Sequence, residues 1–449
     1  MHLINAASSD TQVTDGAARS PRRVPGDSLA AVRVVVGLGA TTSAVRLVAY
    51  GWIDTLVAGP VHRLTYPGLA WVPRPGHGLA IVLACCLALA GLAVAVGWRT
   101  RASAVVLLIS FVWLELADAT NYLNHYWFLT LLGVLVLVGP FAATWSLDSR
   151  RRGRRDIDPL WVLLVRAQVG VVYVFAAIAK MHTDWLVHAM PLHLWLEGHT
   201  DRAVVGPILA MPATAHVASV AGLLFDLTIV PLLCWRRTRL GAWCVLVGFH
   251  VATWYFFPIG VFPWVMIGAS TIFFAPSWPR RFLRVDTSAS APISPKSDGS
   301  RRWLSLFVCA WIALQLLVPL RHWFVAGDAR WTGEGYRLAW NVLAVESSGE
   351  VVFRVTDPTT GHTEVVDPHD LLTGSQLRVA ATEPELIRQV AHIVAADSGI
   401  DQVEVRADAW VSFNGRAPAR LVDPDVDLAA EGVAWGHREW ILPSPVDSP

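Results

Sequence analysis

The sequence of 449 residues uses lysine only twice, at Lys180 and Lys296, although it contains 36 basic residues. The remaining 34 are arginines. Arginine stays protonated at any accessible pH, whereas a lysine in a dry site can lose its proton and act as a base. Lys180 is therefore conspicuous, because it closes the apolar run VYVFAAIA at residues 172–179.

Cysteine and charge are also scarce, and several catalytic motifs are missing. The five cysteines lie inside apolar runs, which indicates neither a disulfide framework nor a zinc site. The sequence has no Gly-rich phosphate loop, no GxSxG and no HExxH. Four histidines, at 182, 188, 193 and 199, have spacings of 6, 5 and 6, which do not place ligands on one helix face, so we expect no metal site. The net charge of +1 gives no indication of a nucleic-acid partner.

The composition instead indicates a polytopic α-helical membrane protein. Charged residues are 16% and hydrophobic residues 54%, with a mean hydropathy of +0.45. Apolar runs predict about nine transmembrane helices, at 29–50, 78–97, 102–118, 125–143, 160–180, 215–235, 240–257, 259–275 and 303–320. Arginines cluster in every second connection, which predicts a cytoplasmic N-terminus and places the residues after about 321 outside.

This pattern divides the chain into three parts. Residues 1–27 are expected to form a disordered cytoplasmic tail, and residues 28–320 a transmembrane domain with a Ser/Pro-rich cytoplasmic linker at 284–302. Residues 321–449 are expected to form a β-rich α+β extracytoplasmic domain. Its predicted features are a hairpin around Asp357–Gly361, a helix that begins at a capping box of Thr382 and Glu385, and a strand at Val403–Phe413.

Ionisable residues inside the predicted spans need an explanation, because each costs roughly 2.5–3.5 kcal/mol unless it is paired or faces a cavity. We expect Asp226 to pair with a membrane cation, Arg166 being one candidate. Alternating span directions place His125 and Lys180 at the outer side and His250 somewhat deeper, so a single outward-facing pocket could hold all three. Structural, non-catalytic interpretations stay open. Lys180 could be an anchor that snorkels to the headgroups, Asn124 and His125 could be interfacial residues, and His250 could be a helix-packing residue.

Motifs along the chain resemble those of a known family. The helical part contributes Asn124-His125-Tyr126, Arg166-x-Gln168, Ala179-Lys180-x-x-x-Asp184-Trp185 and Phe249-His250. The later part contributes Leu320-Arg321-His322, Trp331-Thr332-x-Glu334-Gly335-Tyr336-Arg337, Trp340, Asp357-Pro358-x-Thr360-Gly361, Asn414-Gly415-Arg416 and Asp423-Pro424-x-Val426-Asp427. From about Asp27 to Asp427, the sequence resembles the vitamin K-dependent γ-glutamyl carboxylases and the bacterial membrane proteins that share their HTTM-type transmembrane domain.

The resemblance implies an enzyme that converts protein glutamate to γ-carboxyglutamate with CO2 and O2, while a naphthohydroquinone is oxidised to its 2,3-epoxide. By this resemblance, Lys180 occupies the position of the base that deprotonates reduced vitamin K, and Asn124 and His125 assist it. Candidate quinone-binding residues are His250, Tyr173 and Trp185. Candidate residues for binding the glutamate peptide are Arg321, His322, Trp331, Glu334, Tyr336, Arg337 and Trp340. The implied partners are the lipid bilayer, the lipid quinol and a Glu-containing protein.

The physical chemistry of the Lys180 run agrees with that implication. Apolar neighbours such as Val172, Phe175, Ile178 and Met181 favour a neutral amine and suit a lipid quinone. The arginine-rich, lysine-poor composition is typical of a high-GC bacterium, where menaquinol rather than phylloquinol is the local naphthoquinol. The alternative from a different class is a non-catalytic quinone- or lipid-binding membrane module whose outer domain docks partners.

Overall fold

The structure is a computed structural model that describes residues 23–282, 298–434 and 436–446. Most of the tail predicted at 1–27 and most of the linker predicted at 284–302 lie outside the described residues. We call residues 23–282 and 298–320 the helical region, and residues 321–446 the C-terminal region.

Within the described residues, each of the nine predicted apolar runs contains a helix. These are α1 (Asp27–Ala49), α2 (His77–Val96), α3 (Thr100–Glu115), α4 (Asn124–Val138), α5 (Pro159–Ala179), α6 (Pro212–Cys234), α7 (Arg239–Phe256), α8 (Phe262–Ser270) and α9 (Asp298–Leu320). Five of them, α1, α2, α5, α6 and α9, are long and apolar enough to cross a membrane. Because the 9 residues of α8 rise only about 14 Å, the structure supports a multi-pass helical membrane protein without fixing the number of passes at nine.

The ends of the tail and the linker differ from the prediction. Val24–Pro25 pairs antiparallel with Asp156–Ile157, and the fully buried Asp27 forms an ion pair with Arg280 at 2.5 Å. The predicted disorder is therefore wrong for residues 23–27, because a strand pairing and a buried ion pair hold them. The linker prediction is also too long, since α9 already begins at Asp298.

Local sequence explains how α5 presents Lys180. Asp158 is the N-cap, and its carboxylate accepts a hydrogen bond from the Leu160 N–H at 3.0 Å, while Pro159 occupies the first helical position. The helix ends at Ala179, which leaves Lys180 as the C-cap residue. Short helices at Thr183–Leu186, Leu192–Glu197 and Gly206–Leu209 then lead to α6, and another lies at Leu147–Arg152 before α5.

Among its described residues, the C-terminal region contains one antiparallel sheet, a one-turn helix at Ala329–Thr332 and two longer helices. Its strands are β1 (Ser347–Thr356), β2 (Thr363–Val366), β3 (Glu404–Phe413) and β4 (Ala419–Arg420), in the order β2-β1-β3-β4. The predicted hairpin is confirmed, because Thr356 pairs with Thr363. Alternate residues of β1 and β3 are buried against the apolar face of α11 (Pro384–Ser398), and α10 (Gly374–Ala380) packs beside it.

The start of α11 corrects the predicted capping box. Glu383 is the N-cap and its side chain accepts no capping hydrogen bond, while the Thr382 hydroxyl bonds back to the Val379 carbonyl. The Glu385 carboxylate instead accepts hydrogen bonds from Arg388, Gln389 and Arg438. Charged donors form stronger hydrogen bonds with a carboxylate than a neutral backbone N–H does, which explains why the local motif fails.

The two regions interlock. Trp340, from the C-terminal region, is fully buried in the core of the helical region, where its ring meets Phe128 edge to face at a centroid distance of 6.2 Å. Leu64 and Ala119, from the helical region, are buried in the core of the C-terminal region. This exchange of core residues places backbone of the C-terminal region next to the end of α5.

Candidate functional site

Lys180 is buried and fully hydrogen-bonded. Its side chain is 7% exposed, and Nζ donates to Asp226 Oδ2 at 3.0 Å, to the Val342 carbonyl at 3.0 Å and to the Ala176 carbonyl at 3.2 Å. These three bonds use all three N–H groups of an ammonium. Lys180 is therefore not a snorkelling anchor, because a snorkelling amine reaches water or headgroups.

The partner of Asp226 is a correction to the prediction. Arg166 does not pair with Asp226; its guanidinium donates to the carbonyls of Ile272, Phe273 and Phe274, at the end of the segment that follows α8. Asp226 lies on α6 with a side chain 5% exposed, and its cation is Lys180. The charge pair thus joins α5 to α6 beside the C-terminal region.

A loop of the C-terminal region forms one wall of this site. In the connecting loop, residues 333–345, left-handed backbone occurs at Gly333 and Gly335 and at the non-glycine residues Leu338, Trp340 and Leu343, with φ of 61°, 60° and 49° for the last three. Non-glycine residues rarely adopt this conformation, and it persists only where the surrounding packing determines it. Here the buried Trp340 provides that packing.

The connecting loop brings Asn124 and Lys180 to neighbouring backbone groups. Asn124 Nδ2 donates to the Asn341 carbonyl at 3.3 Å, next to the Val342 carbonyl that accepts from Lys180. Tyr122 completes the link, because its hydroxyl donates to Asn124 Oδ1 at 2.9 Å and accepts from the Leu338 N–H at 2.8 Å. Burial raises the pKa of Tyr122 to about 12, so this hydroxyl stays protonated at neutral pH.

The other predicted residues form an aromatic cluster nearby. Tyr173 and His250 share a buried hydrogen bond of 2.8 Å between the hydroxyl and Nε2. His250 is 2% exposed, and its Nδ1 has no hydrogen-bond partner among the described residues. The ring of Phe262 lies 6.0 Å from the ring of His250 and 5.9 Å from that of His125, so it separates the two histidines.

Trp185 borders Lys180 directly. The centroid of its ring lies 5.3 Å from Lys180 Nζ, within the range of a cation–π contact. The indole N–H donates to the Ser219 carbonyl on α6 at 2.9 Å, which fixes the ring. Trp185 therefore supports the amine instead of pointing into open space.

Beside this site, a charged clamp joins the two regions. Asp184 Oδ2 accepts hydrogen bonds from Asn414 Nδ2 and Arg416 Nη1, both at 2.8 Å, and Oδ1 accepts from Arg416 Nη2. Burial opposes the charged form, but these donors outweigh it and lower the pKa of Asp184 below its usual value. We call Asp184, Asn414 and Arg416 the clamp.

The candidate peptide-binding residues are placed in two groups. Trp331 and Trp340 are buried in the cores of the C-terminal and helical regions, and Glu334 is 8% exposed and accepts hydrogen bonds from His437 and the Arg438 N–H. The side chains of Trp331, Trp340 and Glu334 thus contribute to packing.

The second group is half-buried and surrounds Tyr122. The Arg337 guanidinium lies over the rings of Tyr66 and Tyr122, with centroid distances of 5.1 and 5.8 Å, and donates to Glu383 at 2.6 Å. Arg321 donates to the Arg337 carbonyl. His322, which hydrogen-bonds to the Pro319 carbonyl at 2.7 Å, and Tyr336 complete the group.

Sequence reasoning missed three parts of the site. The carbonyls of Asn341 and Val342 are backbone groups, so no residue type marks them. Tyr122 stands directly before Leu123 and Asn124, and its position next to the predicted Asn124–His125 pair was the signal available for it.

Comparison with family models defines the class of protein. The model described as HTTM domain matches residues 22–278, which is more than half of the chain. The chain is thus a multi-pass membrane protein with an HTTM domain. A second model, described as the lumenal domain of vitamin K-dependent gamma-carboxylase, matches residues 300–447. The chain therefore belongs to the gamma-carboxylase family. No solved structure matches it.

Proposed function

We propose that this protein is an integral membrane γ-glutamyl carboxylase that uses reduced vitamin K. The observation that supports it most is the placement of Lys180: a single lysine, buried between α5, α6 and the connecting loop, with Asn124 bound to the adjacent carbonyl. Family membership supplies the reaction class, and this placement supplies a proton acceptor at Lys180 Nζ.

The aromatic cluster fits a quinol ring. His250 Nδ1 is a buried polar atom without a partner among the described residues, surrounded by Phe225, Phe249 and Phe262. A quinol hydroxyl satisfies such an atom, and apolar rings suit a naphthoquinone face. Tyr173, His250 and Trp185 are therefore the residues that we assign to holding it.

A mostly apolar groove adjoins this cluster. This groove of about 530 Å³ lies between α6 and α7, lined by residues that include Leu224, Thr228 and Val245. Phe225 also lines the groove, and its ring contacts Tyr173 edge to face at 5.8 Å. A lipid quinol of the menaquinol or phylloquinol type reaches the site from the membrane along such a surface.

When bound, reduced vitamin K supplies the driving force, because its oxidation by O2 to the epoxide generates a base strong enough to take the γ-proton of glutamate before CO2 adds. The protein contributes a proton acceptor at Lys180 Nζ. We assign Asn124, which binds the carbonyl next to the one that accepts from Lys180, and the adjoining His125 to assisting this step. The buried surroundings exclude water that would quench a strong base.

The substrate peptide reaches this site from the side of the C-terminal region. We assign Arg321, His322, Tyr336 and Arg337, the half-buried group around Tyr122, to meeting it. We further propose nine membrane passes in the cell membrane, with residues 28–320 as the transmembrane domain, the N-terminus in the cytoplasm and the domain 321–449 outside. The alternation of arginine-rich connections supports this orientation.

The test supplies purified protein with a reduced naphthoquinone, O2, labelled bicarbonate and a Glu peptide. Wild type should form quinone epoxide and incorporate label, and Lys180→Ala and Lys180→Arg should do neither, because arginine does not accept a proton at working pH. Lys296→Arg is the matched control and should match wild type. An active Lys180→Arg variant would show that Lys180 is not the base.

One observation favours a second candidate function. A buried ion pair with every N–H group satisfied is also a suitable structural link between α5 and α6. In that case the protein is a non-catalytic quinone- or lipid-binding module. Absence of both epoxide and label in wild type, together with retained naphthoquinone binding, would favour this function.

A further inference from the structure

Asp226 is the charged group in direct contact with Lys180, and the assignment of Lys180 as a base leaves its role open. The two side chains are 7% and 5% exposed, and the Nζ–Oδ2 distance is 3.0 Å. In this arrangement the amine holds three protons and cannot accept another. A base at this position must first lose a proton.

Asp226 is placed to take that proton. In a buried pair, proton transfer along the hydrogen bond replaces two charges by two neutral groups, which removes the cost of keeping both ions away from water. The N–H bond of Lys180 breaks, an O–H bond forms on Asp226 Oδ2, and the nitrogen lone pair becomes free. The net charge of the pair stays zero throughout.

We propose that Asp226 is the positioning residue that holds Lys180 Nζ in place and sets its protonation state, by accepting a proton from it before Lys180 acts as a base. This inference rests on the proposed function. The free amine then takes a proton from a bound hydroxyl, and Asp226 stays a neutral acid until its proton leaves the site.

Other titratable groups lie on the elements around the pair. Tyr173 on α5 lies within electrostatic range of Asp226 and is hydrogen-bonded to His250 on α7. His182 follows α5, and burial lowers its pKa to about 4, so it is neutral at pH 7. The charge of Asp184 is neutralised by Arg416. Asp226 is thus the group whose removal changes the charge balance at Lys180 most.

The scarcity of lysine makes a direct measurement possible. Protein labelled with ¹⁵N at lysine Nζ gives two side-chain signals, and Lys296→Arg assigns the one that remains to Lys180. The nitrogen chemical shift distinguishes ammonium from amine as the pH is raised. An opposite charge within 4–6 Å shifts an ammonium-to-amine transition by about 1–3 pH units. Asp226→Asn should therefore move the transition of the Lys180 nitrogen signal to lower pH by about 1–3 units. Asp226→Glu should keep the wild-type transition.

The pH profile of quinol epoxidation is the second measurement. In Asp226→Asn the acid limb of the rate should move to higher pH while the nitrogen signal moves to lower pH, because without Asp226 the amine must lose its proton to solvent before it acts as a base. A merely structural role would lower the rate at all pH values without moving the limb. If Asp226→Asn does not accumulate, Asp226→Ser replaces it as a smaller neutral variant.

The outcomes separate the two claims. An unmoved Lys180 signal in Asp226→Asn overturns the inference, whatever the activity. An inactive wild type with a shifted signal overturns the proposed function and, with it, the role of Asp226 in base chemistry. A signal and an acid limb that both move to lower pH overturn the inference, because Asp226 then only stabilises the ammonium form. A signal that moves to lower pH together with an acid limb that moves to higher pH supports both claims.

Discussion

Replacing Arg416 by alanine should destabilise the junction between the two regions by about 2–3 kcal/mol. Removing one partner of a fully buried ion pair costs about 3–5 kcal/mol, because the other charge is left uncompensated. Asp184 is 3% exposed, but Arg416 is 30% exposed and Asn414 continues to donate to the carboxylate, so the expected cost falls below that range. The measurement is the midpoint of thermal unfolding in detergent, which should fall by several degrees.

A matched control lies in the same region. Arg420 pairs with Asp408 at 3.2 Å, with side chains 44% and 32% exposed, and Arg420→Ala should cost about 1 kcal/mol or less. The double variant Asp184→Asn/Arg416→Ala should recover part of the loss, because no buried charge remains unpaired. Equal unfolding midpoints for Arg416→Ala and Arg420→Ala would refute the clamp as the contact that joins the regions.

Three further predictions concern the same junction. Trp340→Ala should cost about 3–5 kcal/mol in thermal unfolding, because it empties a fully buried site against Phe128; a wild-type midpoint would contradict the interlocked core. Gly415→Ala should cost about 1–3 kcal/mol, since φ is +75° and a Cβ would lie 3.1 Å from the Leu194 side chain; wild-type stability would contradict this. The pKa of Asp184 in the folded protein is lowered, so its contribution to stability should be present above about pH 3.9 and lost as the pH falls through the lowered pKa. Acid unfolding curves of wild type and Arg416→Ala should therefore differ at neutral pH and converge at low pH.

The helices and the hairpin were predictable because each depends on local pattern. Hydropathy predicted all nine helical runs, and the turn composition of Asp357–Gly361 predicted the hairpin. The partner of Asp226 was not predictable, because Arg166 on α5 and Lys180 at its C-cap are both cations, and only the packing of α5 against α6 distinguishes them. The number of membrane passes could not be predicted for a related reason. Hydropathy does not show that the helix at 262–270 stops after 9 residues.

The carbonyls of Asn341 and Val342 could not be found by any motif, because their positions depend on how the C-terminal region docks. The side chains and the carbonyls of the site fall in different family matches. Asn124, Lys180 and Asp226 lie in the HTTM match, whereas both carbonyls lie in the lumenal-domain match. Neither matched segment alone contains the three hydrogen bonds of Lys180.

Docking and the proposed chemistry therefore share one short stretch of chain. Lys180 ends α5, and the clamp carboxylate of Asp184 follows four residues later. The clamp holds the C-terminal region, whose connecting loop has left-handed residues around Trp340, which is packed into the helical core. We expect loosening of the clamp to weaken the packing of Trp340 and, with it, the hydrogen bond from Lys180 to the Val342 carbonyl. A contact that stabilises the junction thus also sets the hydrogen bonding of the amine.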